Sequence, residues 1–66
     1  MRIVVEEKNG IREFEMTSGS SVSDLARKIG VPVESAIFLL GDRPLPTDEL
    51  LTDGWRVRVV SAVSGG

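Results

Sequence analysis

Two glycines, Gly65 and Gly66, stand last in the chain, and the carboxylate they carry is the group with the clearest chemical use. Without a Cβ on either residue, a narrow channel in a second protein can close around the backbone and reach the carboxyl carbon. The plainer reading is a frayed end or an expression remnant, which is common at termini. Other reactive groups are few. The chain has neither cysteine nor histidine, so it supplies no disulfide, no thiolate and no imidazole base, and zinc lacks its two preferred ligands. Asp42, Asp48 and Asp53 occupy turn positions and share no calcium-loop spacing. The serines have no neighbouring base to activate them. Gly19 precedes a helix, but neither the dinucleotide nor the P-loop motif surrounds it. The expectation is a protein that is not an enzyme and binds no metal or cofactor of its own.

Arg56 and Arg58 alternate with Val57 and Val59, which puts both arginines on one face of a strand. A solvated face explains them as well as a docking surface does. The docking reading gains from Val4, Phe38 and Val60, which are expected to point the same way. If the first, third and last strands are neighbours, these side chains cluster in the composition of an interaction hot spot.

The elements that must carry these groups can be read in order. Residues 1–6 are β-rich, with Met1, Ile3 and Val5 on one side. Asn9-Gly10 signals a hairpin, and residues 11–16 form the return strand with Phe14 and Met16 on one face and Glu13 and Glu15 on the other. A helix is expected over residues 22–29. Ser21 caps it, Asp24 completes a short capping box, and Val22, Leu25, Ala26 and Ile29 form one apolar stripe. Gly30 can take the left-handed cap, and Pro32 forbids continuation. Residues 36–40 are a further strand, ended by Gly41-Asp42. Residues 43–46 contain two prolines and cannot be a central strand. Residues 47–50 look like one capped helical turn, Asp53-Gly54 is a turn, and residues 55–60 are the last strand.

Sixty-six residues make one small domain, with residues 1–60 as its body and residues 61–66 as a flexible tail. The fold class expected is α+β: a mixed sheet of four or five strands packed on one main helix. A net charge of −2 gives no pull toward nucleic acid or anionic membrane. The longest apolar run, residues 36–40, is too short to span a bilayer, and no leader pattern precedes the first strand. A cytoplasmic protein is expected.

The chain resembles the ubiquitin-like β-grasp proteins, closest to the prokaryotic sulfur carriers ThiS and MoaD and to the archaeal small modifier proteins. The likeness covers the whole element order. It is sharpest over Ile37-Phe38-Leu39-Leu40-Gly41-Asp42-Arg43-Pro44-Leu45 and over Leu51-Thr52-Asp53-Gly54-Trp55-Arg56-Val57-Arg58-Val59. Leu40-Gly41 stands where Asn-Gly is usual, and Trp55 where a second Asp is common. The closing Gly65-Gly66 is the functional signature.

The resemblance implies a division of labour. An E1-like adenylating enzyme, which uses ATP, would dock on Val4, Phe38, Arg56, Arg58 and Val60 and draw in the tail of Ser61, Ala62, Val63 and Ser64. Gly66 would be activated as an acyl-adenylate, with Gly65 providing clearance. The product would be a thiocarboxylate for a sulfur-accepting enzyme, or an isopeptide bond to a lysine of a target protein. The rival from the same fold is a TGS-like module that binds RNA or protein non-covalently. Its case is the segment Gly19-Ser20-Ser21-Val22-Ser23-Asp24-Leu25-Ala26, similar to the start of the helix in that family.

Overall fold

The computed structural model describes residues 1–61 of the chain. Strand β1 (Arg2–Glu7) and strand β2 (Gly10–Glu15) form an antiparallel hairpin, paired from Arg2↔Glu15 to Glu7↔Gly10. Lys8 and Asn9 are the turn, so the bend lies one residue earlier than expected. Gly10 takes the positive φ of 138° and already belongs to the return strand. The start of the hairpin is doubled by Met1, which exchanges two backbone hydrogen bonds of 2.7 Å with Met16.

Helix α1 (Val22–Ile29) follows. The Ser21 hydroxyl accepts from the Asp24 amide while the Asp24 carboxylate accepts from the Ser21 amide, and Gly30 closes the other end at φ 94°. Val22, Leu25 and Ala26 are buried, so the apolar stripe read from sequence is the packed face. Gly30 and Val31 both donate to the Ala26 carbonyl, satisfying a carbonyl that the last turn leaves open. A single 3₁₀ turn (Val33–Ser35), not evident in the sequence, leads into strand β3 (Ala36–Leu40). Strand β4 (Arg43–Pro44) is a two-residue edge paired with the end of β3, where Pro44 needs no ladder donor.

Residues 47–50 are not helical. A turn is closed by the Glu49 amide on the Pro46 carbonyl, and Leu50 bridges to Ser21. The physical reason lies at the start of α1. The Val22 and Ser23 amides have no partner within their own helix, and they donate to the carbonyls of Glu49 and Thr47 at 2.9 Å. Carbonyls held across the fold in this way are not free for a local helical turn.

The last strand, β5 (Arg56–Ser61), begins one residue later and ends one residue later than the sequence predicts. Trp55 sits in the approach to it, and Ser61 is paired with Ala36. The five strands lie in the order β2-β1-β5-β3-β4. β5 is parallel to β1 and antiparallel to β3, so the sheet is mixed and its last strand is central. Parallel neighbours need a long crossover, and the chain between β1 and β5 supplies it by way of β2, α1, β3 and β4. One side of the sheet packs on α1. Ile3, Val5, Phe38 and Val57 from the strands and Val22, Leu25 and Ala26 from the helix are the centre of this core, each large side chain contributing about 2 kcal/mol by leaving water.

Candidate functional site

The opposite side of the sheet carries the arginines. Directly paired residues on neighbouring strands share a face, so the register defines this surface. Val4 pairs with Arg56, Glu6 with Arg58, Arg58 with Leu39, and Val60 with Ile37. On the other flank Glu6 pairs with Ile11 and Val4 with Glu13. The face thus runs from an acidic side on β2 and β1, through two arginines on β5, to an apolar side of Ile37, Leu39 and Val60.

The first, third and last strands are neighbours as supposed, and Val4, Arg56, Arg58 and Val60 come together on this face. Val4 is half-buried, while Val60 is 38% and Ile37 48% exposed. Phe38 does not join them. It is 2% exposed and packed in the core beneath α1. It pairs with Val59, and its carbonyl accepts from the Leu45 amide at 2.7 Å. Side chains alternate along a strand, so burying Phe38 turns Ile37 and Leu39 outward. Phe38 is therefore a core residue and not part of the open face, where β3 presents Ile37 and Leu39 instead.

The two arginines differ in their electrostatics. Arg56 Nη2 donates to Glu6 Oε2 at 2.7 Å, a charge-assisted contact that fixes its guanidinium across β1 and β5. Arg58 has no ion pair among the described residues, and Glu6, already engaged by Arg56, is its nearest acid in the register. With no ion pair to a described residue, Arg58 between Leu39 and Val60 has donors that an incoming acceptor can use. Further along the face, Arg2 reaches Glu13 at 3.5 Å and Glu15 at 3.7 Å. Both pairs are well exposed and worth little to stability.

At the end of the face where β5 and β3 part, an open depression of about 480 Å³ is bordered by Glu6, Trp55, Arg56 and Arg58, with Gly41 and Gly54. Asp53 anchors this end, its Oδ1 accepting the Arg2 amide at 2.7 Å. That fits its reading as a turn residue. Among the described residues no group of three or more potential ligands could hold a metal ion. No helix among them is long and apolar enough to cross a membrane.

Away from this face, Asp24 is the one described group with a resolved shift, its carboxyl held below the ordinary 3.8. The main cause is the hydrogen bond from the Ser21 amide, followed by that from the Ser21 hydroxyl, with a smaller contribution from Arg27. This is helix capping, with no reactive partner beside it.

Glu6, Ile11, Ile37 and Leu39 were missing from the site residues read in the sequence. Glu6 had a signal, because it shares the parity of Val4 on β1. Ser61, expected in the tail, is the last residue of β5. Ala62, Val63, Ser64, Gly65 and Gly66 lie outside the described residues. No protein-family model matches the chain.

Proposed function

We propose that this chain is a ubiquitin-like β-grasp protein that serves as a sulfur carrier or protein modifier, with the Gly66 carboxyl as its working group and the open sheet face as its handle. The observation that favours this reading most is the position of β5. It is a central strand, it carries Arg56, Arg58 and Val60 on the uncovered face, and it runs forward to Ser61, four residues before Gly65 in the sequence. A partner seated on that face would hold the strand from which the tail departs, so recognition of the body and presentation of the diglycine are mechanically linked. Among the described residues, the mixed sheet with one α-helix against one side agrees with a β-grasp.

The chemistry proposed needs nothing catalytic from this chain. A Gly66 carboxylate oxygen attacks the α-phosphorus of ATP in the active site of an E1-like enzyme, and pyrophosphate leaves. The acyl-adenylate formed has AMP as a good leaving group. Hydrosulfide displaces AMP to give a thiocarboxylate, or a lysine amine of a target displaces it, losing a proton, to give an isopeptide bond. Gly65 offers no side chain to obstruct either approach.

The test is ATP–pyrophosphate exchange catalysed by an adenylating enzyme of the ThiS or MoaD class from the same cells. The full chain should support exchange. A chain lacking Gly66 should not, while keeping its thermal unfolding midpoint. Equal exchange with and without Gly66 would overturn the assignment of the reacting group.

A further inference from the structure

The open face carries one row of side chains that is complementary to itself. Across the middle of the face it reads Ile11, Glu6, Arg58, Leu39, fixed by the pairings Glu6↔Ile11, Glu6↔Arg58 and Leu39↔Arg58. The row is apolar at both ends, acidic left of centre and basic right of centre. We propose that two copies of this chain pair through this face about a two-fold axis running along the strands between β1 and β5. Glu6 of each copy then meets Arg58 of the other, and Ile11 meets Leu39.

The geometry is that of two sheets packed face to face. A two-fold axis lying in the interface along the strand direction exchanges left and right across the row, which superposes acid on base twice and apolar on apolar twice. Sheets packed this way sit about 10 Å apart and are rotated by about 30°, so the match is best near the axis, where Glu6 and Arg58 lie. Arg58 has no ion pair among the described residues, and Glu6 keeps one carboxylate oxygen, Oε1, clear of its bond to Arg56. Ile11 is 57% exposed, so its side chain is open to a partner. Edge-to-edge pairing through β2 has no such match, since it would bring the Glu13 and Glu15 rows of two copies together.

Area limits the strength. Four strands about 4.8 Å apart and five residues of about 3.4 Å each give a footprint of roughly 330 Å² per copy. A standard interface uses about 800 Å² per partner. The dimer is accordingly weak and forms only at high protein concentration. This inference does not depend on the chemistry assigned to Gly66. Where that reading also holds, self-pairing and enzyme docking compete for one surface.

The experiment uses the full chain alone. Sedimentation equilibrium at low salt, with protein raised to about 1 mM, should show the average mass rising from 7.1 kDa toward twice that value, and amide shifts that change with concentration should centre on Glu6, Ile11, Leu39 and Arg58. A monomer at every concentration, or shifts centred on α1 or on the β2 edge, would overturn the proposal. Arg58→Glu and Glu6→Arg should each weaken association about tenfold or more by setting like charges together. An equimolar mixture of the two should associate again, because each copy then offers the charge the other lacks. Association that survives in either single variant, or a folded mixture that stays monomeric, would also refute it.

Discussion

Replacing Phe38 with alanine and, separately, Ile37 with alanine reads out which way strand β3 faces. Phe38 is 2% exposed in the core and Ile37 is 48% exposed on the open face. Truncating a buried phenylalanine removes its transfer free energy and leaves a cavity, together about 3–5 kcal/mol. A full Ile→Ala truncation in a core costs about 2–5 kcal/mol. With half of Ile37 already in water and no closed cavity left behind, its share is about 1 kcal/mol. A domain of this size has a total stability of about 3–10 kcal/mol, so Phe38→Ala takes a large fraction of it. Urea unfolding followed by Trp55 fluorescence is the assay. With a slope near 1 kcal/mol per molar, the midpoint of Phe38→Ala should fall by about 3–5 M or the protein should be unfolded without urea, whereas Ile37→Ala should lose about 1 M. Equal losses, or a greater loss for Ile37→Ala, would refute the register of β3 and with it the composition of the open face.

Ser21→Ala removes the hydroxyl that caps α1 and should lower stability by about 1 kcal/mol, measured by the same urea titration. Because the Asp24 carboxyl is held below its ordinary value, its contribution is fully present above about pH 4 and is lost as pH falls through the lower folded value. Thermal midpoints measured from about pH 6 down to pH 2 should therefore drop less steeply in Asp24→Asn than in the parent chain. Gly30 has φ 94° and open space where a Cβ would go, so Gly30→Ala should cost only the left-handed backbone strain, about 1–2 kcal/mol, without rearranging neighbours in a heteronuclear NMR spectrum.

How much of this molecule was legible in its sequence depends on whether the deciding interaction was local. Helix α1 could be read residue by residue, because its cap at Ser21, its stripe and its stop at Gly30 are all set within one segment. The facing of β1 and β2 was legible in part for the same reason, since Ile3 and Val5 fall on one side of β1 and Glu13 and Glu15 flank Phe14 on β2. Strand β3 was not. Its residues Ala36-Ile37-Phe38-Leu39-Leu40 are apolar throughout, so no alternation reveals the parity, and only pairing with β5 decides it. A preference for the larger aromatic in the core would have favoured the observed facing. The segment at 47–50 misled because its local composition favours a helical turn while its carbonyls are claimed by the start of α1. The Glu6–Arg56 contact joins residues fifty apart in the sequence, and it exists only because β1 and β5 lie side by side.

The claim on which the functional reading turns is that the Gly66 carboxyl is the group that reacts. Mass spectrometry of C-terminal peptides recovered from the native cells tests it directly. The expected result is a peptide ending at Gly66 with one oxygen replaced by sulfur, or lysine peptides of other proteins carrying this chain through Gly66. Finding only species that continue past Gly66, with neither the thiocarboxylate nor the lysine linkage present, would contradict it.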